Sequence, residues 1–372
     1  MAPVTKEMIL SRLSAVRAPG ASVDIVSAGL VSEIIINESN VMFALMVEGQ
    51  DAKRMEAARQ AAEAAVRAVP GIGKVMVALT ADRPAPRASA TPAQAARQAR
   101  GTAVPGISHI IAVASGKGGV GKSTTAVNIA LGLAAHGLQV GILDADIYGP
   151  SMPKLLGLTQ RPQLAGDGSK MLKPLERYGL KAMSMGFLVE EGTPMIWRGP
   201  MVMGALVQML REVAWGVLDC LVVDMPPGTG DVQLTLAQQT PLSGAVIVST
   251  PQDLALIDAR KGLAMFEKVN VPVLGIIENM SYFVCNACGA RHEIFGHGGA
   301  RAEAEKLGVP FLGEVPLDAE LRQRSDLGEP VTALAPASGL AGVYNDIAGR
   351  IWDAVSARQN AMKQPPRIVI ER

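Results

Sequence analysis

At 372 residues the chain exceeds one ordinary domain, and 49% hydrophobic residues with 39 glycines can bury a sizeable α/β core. Its 35 Lys and Arg nearly balance 34 Asp and Glu, and this weak overall field gives no argument for nucleic acid or a membrane surface as the main partner. Three cysteines are too few for a disulfide framework, so a close pair among them points to a metal or redox site. The opening MAPVTKEMILSRL lacks the apolar core of a signal peptide, and no apolar run reaches the roughly 20 residues of a membrane span. The expected compartment is the cytoplasm.

In chain order, helical spacing over residues 4–17, β-rich stretches over 23–36 and 41–47, an Ala-rich helix over 51–69 and a strand over 74–79 predict a small α+β domain at 1–81. Residues 82–107 shift to Ala, Pro, Ser and Arg with no acid after Asp82, the composition of a solvated tether. From 108 to 360, apolar strands expected at 109–115, 139–143, 180–185, 218–223, 245–249 and 273–277 alternate with helical stretches. Such runs predict a mostly parallel twisted sheet with helices on both faces. Ligands of these sheets bind beyond the carboxyl ends of the strands. Leu340, Val343, Ile347, Ile351 and Val355 recur at helical spacing, and residues 361–372 read as a tail.

The strand HIIAVAS runs into Gly116, Lys117, Gly118, Gly119, Val120, Gly121, Lys122, Ser123 and Thr124, and then into the helical AVNIALGLAAHG. This is G-x-x-x-x-G-K-[ST] in its strand–loop–helix context, a P-loop for ATP. Glycines let backbone N–H groups curl around phosphates, Lys122 neutralises charge, and the Ser123 hydroxyl can ligate Mg²⁺. Magnesium also wants carboxylates, and two strand ends supply them: GILDAD places Asp144 and Asp146, and LVVDMPPGTGD places Asp224.

Lys117 makes the loop K-G-G-x-G-K, which resembles the deviant phosphate loop of the MinD/ParA/nitrogenase-iron-protein class. Together with DADIYGPSMP (144–153), GTPMIWRGPMVMGAL (192–206), VVDMPPGTGDVQLTLAQ (222–238), STPQDLALIDARKG (249–262) and ENMSYFVCNACG (278–289), it resembles the Mrp/ApbC family of iron–sulfur cluster carriers over about residues 107–350. The N-terminal unit is similar to the small domain that often precedes the ATPase in bacterial members and also stands alone in cluster-assembly factors. Its loop VEGQDAKRM lacks the Cys common in stand-alone members, so it has no assigned metal role. The resemblance implies a homodimer in which Lys117 reaches the partner's nucleotide, Asp146 positions water, and Asp144 and Asp224 organise Mg²⁺. It also implies that residues 226–231 sense the γ-phosphate and that the Asn279 amide reads the adenine edge. The block around Trp197 implies that Arg198 couples nucleotide state to the interface, with a structural ion pair as the other reading. Cluster scaffolds as donors and apo-proteins as acceptors are the implied partners.

Cys285 and Cys288 stand in C-N-A-C-G after a predicted strand. Two thiolates leave a four-coordinate site half filled, and a two-fold dimer brings the same pair to itself. A [4Fe–4S] cluster bridging two chains is then fully ligated. Rival readings are zinc held within one chain by Cys285, Cys288, His292 and His297, as in a nucleotide-locked scaffold, and a redox dithiol. A MinD/ParA-like positioning ATPase is a further alternative, although that class has no use for the CxxC and attaches by basic or amphipathic surfaces absent here. Cys220, within GVLDCLVV, reads as a core residue.

Overall fold

The computed structural model describes residues 6–17, 23–28, 30–31, 35–37, 40–47, 52–69, 72, 75–81, 103–166, 171–188 and 199–363. Most of the tether, Arg198 and the end of the chain lie outside them. The chain falls into two compact units, Met1–Thr91 and Pro92–Arg372.

In the first unit, β1 (Ile35–Asn37) pairs antiparallel with β2 (Asn40–Val47), and β2 pairs parallel with β3 (Val75–Ala81). Helices Lys6–Leu13 and Ala52–Arg67 contribute Ile9, Leu13, Ala62 and Val66 to a core shared with Ile25, Val41 and Leu45. The β-rich reading of 23–36 is corrected at its start, where residues 24–27 form a turn. Asp24 accepts from the amides of Val26 and Ser27 and from the Ser27 hydroxyl, and these local bonds outcompete a strand.

The second unit is built on an eight-stranded sheet of β4 (Ile107–Ala114), β5 (Val140–Asp144), β6 (Leu175–Arg177), β7 (Leu180–Ser184), β8 (Leu218–Asp224), β9 (Gly244–Ser249), β10 (Val273–Asn279) and β13 (Phe311–Val315). Their order is β13-β10-β9-β4-β8-β5-β7-β6, all parallel except β6, which runs antiparallel at one edge. The six expected strands are all present. The edges β6 and β13 escaped the sequence pattern because they are short and only partly buried.

Burial on both faces explains the unbroken apolar runs. Helix Lys122–Ala135, apolar nearly all round, lies between the sheet and the long helix Gly339–Lys363. Gly132 makes that packing possible, since a Cβ there would lie 2.8 Å from the Ala348 methyl. From the long helix Tyr344, Ile347, Ile351 and Val355 enter the core, so truncating Ile351 to Ala would cost about 2–5 kcal/mol. Cys220 is fully buried there, and burial pushes its thiol far up from the ordinary range.

Beyond β10 a short antiparallel pair, β11 (Phe283–Val284) and β12 (Arg291–His292), forms a hairpin whose tip carries Cys285 and Cys288. Leu317 N donates to Tyr282 O at 2.7 Å and Ser281 N to Val315 O at 3.0 Å, fastening its base to β13 and the segment after it.

Candidate functional site

The sheet order sets the carboxyl end of β4 next to that of β8, with β5 one strand further on. β4 delivers Ser115 and the loop, β8 delivers Asp224, β5 delivers Asp144 and Asp146, and β10 delivers Asn279. A cavity of about 600 Å³ opens there, lined by residues 117–119 and 121–124 of the loop, Asp146, Asn279 and the segment around Pro316–Leu321. The loop turns into its helix at Gly121, whose φ of 78° is left-handed and whose Cβ would lie 2.2 Å from Asn279 Nδ2. Asn279 donates that amide to Val120 O at 2.8 Å. The Asn279 amide thus buttresses the loop and keeps its second N–H and its oxygen.

Lys122 is buried and reaches across to Asp224, Nζ to Oδ1 2.5 Å, while standing 3.2 Å from the Ser123 hydroxyl. Burial pushes the Asp224 carboxyl up and the Lys122 ammonium pulls it back down. Its other oxygen, Oδ2, is buried with no hydrogen-bond partner among the described residues. An orphaned carboxylate oxygen beside a hydroxyl is a donor set that fits a hard dication.

Asp144 is tied into the loop that follows it. Its Oδ1 accepts from Asp146 N at 3.1 Å, and its Oδ2 accepts from Ser151 N at 2.9 Å, Met152 N at 3.0 Å and the Ser184 hydroxyl at 2.9 Å. Three protein donors meet Oδ2 and one meets Oδ1, so Asp144 fixes the 145–152 loop and keeps a lone pair on Oδ1 to offer beside Ser123 and Asp224. Burial, and next the Asp224 charge, push its carboxyl up to about 7.

Asp146 lies half-buried at the cavity wall, held by Gly149 N at 3.3 Å; burial raises its carboxyl against the pull of Lys122. Lys117 lines the mouth, and its ammonium makes no hydrogen bond or ion pair among the described residues. The 226–231 segment is docked on the loop strand, with Gly228 N donating to Ser115 O at 2.9 Å and Gln233 Nε2 to Pro227 O at 2.5 Å.

In the hairpin, Cys285 N donates to Ala290 O at 2.9 Å and Gly289 N to Cys285 O at 2.8 Å. The amide N–H of Ala287, then that of Cys288, points at the Cys285 sulfur and holds its thiol below the ordinary value. Cys288 is exposed. The four residues of the local zinc reading are not gathered: among the described residues no three His, Cys, Asp or Glu side chains converge on one point. His292 is exposed against Phe283, and His297 is held by Ser281 and Arg291.

Sequence reasoning missed Glu278. This fully buried carboxylate accepts from Ser281, Gly298 and Ala300 between the cavity and the hairpin. The signal was available, because VLGIIEN closes an apolar strand with an acid just as GILDAD and LVVD do.

A model of the NUBPL iron-transfer P-loop NTPases matches residues 106–352, and one of iron–sulfur cluster assembly proteins matches residues 6–79. An iron–sulfur cluster transfer protein NUBPL from Dictyostelium discoideum is 51% identical over 271 residues, 72% of this chain and 84% of that protein. An iron–sulfur cluster carrier protein from Synechocystis is 43% identical over 357 residues, 95% of this chain and 98% of that protein, so the likeness extends through both units. Among solved structures, a nucleotide-binding protein from Archaeoglobus fulgidus in complex with ADP is 44% identical with a TM-score of 0.53, covering 60% of this chain and 87% of that one.

Proposed function

Because the chain belongs to the NUBPL iron-transfer P-loop NTPase family, we propose that it hydrolyses ATP and carries a [4Fe–4S] cluster between two copies of itself for delivery to apo-proteins. The observation that carries this reading is the hairpin's ligand count. Cys285 and Cys288 stand together with no third ligand among the described residues, while a [4Fe–4S] cluster wants four thiolates. A second copy related by a two-fold axis supplies the missing pair.

Nucleotide chemistry would be divided among residues already in place. Lys122 leaves Asp224 for the phosphates, and the freed Asp224 with Ser123 would hold Mg²⁺, which neutralises phosphate charge when bound. Asp146 aligns the attacking water, and Lys117, with no ammonium partner among the described residues, extends to the nucleotide of the second copy. Asn279 keeps the loop in shape beside the base, and residues 226–231 report the terminal phosphate to the sheet.

Cluster scaffolds are the proposed donors and apo-proteins the acceptors, with no nucleic acid or membrane in the cycle. No helix of the described residues is long and apolar enough to cross a membrane, and we place the protein in the cytoplasm. Anaerobic reconstitution followed by iron, sulfide and oligomer analysis tests the reading. One cluster per dimer, about two iron atoms per chain, is the expected result. A monomer holding one zinc overturns it.

A further inference from the structure

The turn that closes β10 touches both chemical sites of the second unit. Asn279 donates to Val120 O of the phosphate loop at 2.8 Å. One residue later Met280, which lines the same cavity, sits at φ 53°, a left-handed conformation that a long side chain seldom adopts. Ser281 follows, and its hydroxyl gives its one proton to Glu278 Oε1 at 2.6 Å. Glu278 also accepts Gly298 N at 2.9 Å and Ala300 N at 2.6 Å, which ties it to the start of helix Gly299–Leu307.

With its proton committed, the Ser281 hydroxyl must accept from His297 Nδ1, 3.0 Å away, and this count assigns the tautomer with hydrogen on Nδ1. Arg291 Nη2 stands 3.1 Å from Nδ1 and 3.1 Å from Nε2 alike, so it rests against the imidazole ring as a whole. The Arg291 guanidinium stacks 3.9 Å from the centre of the Tyr282 ring. Arg291 belongs to β12, and its register partner Val284 immediately precedes Cys285. A continuous series of hydrogen bonds, covalent links and the Arg291–His297 contact therefore runs from the phosphate loop to the root of the cysteine hairpin. Sparsely populated backbone conformations persist where their surroundings fix them, and they cluster at switching segments. Met280 is such a residue, pinned by Asn279 on the loop side and Ser281 on the hairpin side.

We propose that Glu278 and His297 are positioning residues that fasten the cysteine hairpin to the phosphate loop through the 278–281 turn, so that nucleotide state sets how readily the hairpin releases its cargo. This rests on the carrier reading above. Any shift of Val120 on nucleotide binding moves Asn279, and the torsion at Met280 passes that movement to Ser281 and His297.

The test uses the full-length protein reconstituted anaerobically, with cluster transfer to an apo [4Fe–4S] acceptor followed with and without ATP. In the wild type, ATP changes the transfer rate by about 5–150-fold, the usual range of coupling between two sites. His297→Ala keeps ATP affinity and iron content but brings that ratio to within about twofold of unity. His297→Asn, whose amide still donates to Ser281, restores part of it, and His292→Ala leaves it unchanged. An unaltered ratio in His297→Ala, or a wild-type ratio of one, overturns the proposal. Glu278→Gln probes the buried end, and if it does not fold the two His297 variants decide the matter. Should the wild type take up no cluster, the carrier reading fails by itself, and hydrogen exchange at residues 285–290 then tests the fastening. Protection that ATP alters in the wild type and not in His297→Ala supports it; the same response in both, or none in either, overturns it.

Discussion

Asp144 and Asp224 are register partners at the carboxyl ends of adjacent strands, yet only Asp224 meets a cation. Asp144 instead accepts from three amides and a hydroxyl, and this asymmetry makes one member of the acidic pair the anchor of the loop that follows it.

That division gives a pH signature. Burial and the Asp224 charge raise Asp144 from 3.8 to about 7, so the folded state holds this proton more tightly than the unfolded chain does. The resulting stability is fully present below about pH 4 and is lost as pH rises through about 7. Nucleotide-free Asp144→Asn should show a flatter dependence of the denaturant midpoint on pH across that window. Equal slopes in the variant and the wild type would remove Asp144 as its source.

Removing Lys122 should have two separable effects. ATP should bind at least about tenfold more weakly in Lys122→Ala, since a hydrogen bond to a charged group is worth about 1.5–3 kcal/mol. The nucleotide-free variant should also lose stability, by up to about 3–5 kcal/mol, because Asp224 is left buried and unpaired. Lys122→Ala/Asp224→Asn should recover much of the stability without recovering affinity. Calorimetric titration and thermal unfolding measure the two effects, and wild-type ATP affinity in Lys122→Ala would sink the phosphate-loop assignment.

Lys117 and Asp146 should complement each other across two chains. Lys117→Ala is expected to bind nucleotide and hydrolyse it poorly, and mixing it with Asp146→Ala should restore some turnover through mixed dimers. Normal hydrolysis by Lys117→Ala alone would show that the lysine has another task.

The thiols should be separable from the nucleotide. Cys285→Ser and Cys288→Ser should each abolish stable cluster binding and leave ATP binding intact, because hairpin and phosphate loop rise from different strand ends. His292→Ala should retain the cluster. Metal and sulfide analysis beside ATP titration gives the answer, and cluster loss in His292→Ala would reopen the zinc reading.

Features carried by local pattern were legible in the sequence. The phosphate loop announces itself because its glycines, lysine and hydroxyl serve neighbouring backbone, and the buried strands do so because both faces demand apolar residues. Partnerships made across the chain were not legible. Nothing in ENMSYF says that the Asn279 amide will turn to Val120, 159 residues away in sequence, and nothing in GILDAD says that Asp144 will accept from Ser184 and three amides. His297 shows the same limit. Proximity in sequence to the cysteines offered it as a rival zinc ligand, while in the fold Ser281 meets its Nδ1 and Arg291 rests against both nitrogens.

The ladder between β11 and β12 holds only two residue pairs, Phe283 with His292 and Val284 with Arg291. So short a ribbon has little stability of its own. Part of the free energy gained when the thiolates close on iron must therefore go into stiffening the hairpin, and the net grip is weaker than a cage on rigid elements would achieve. A soft cradle limits residence time, and for a molecule whose task ends in surrender a short residence time is the useful property.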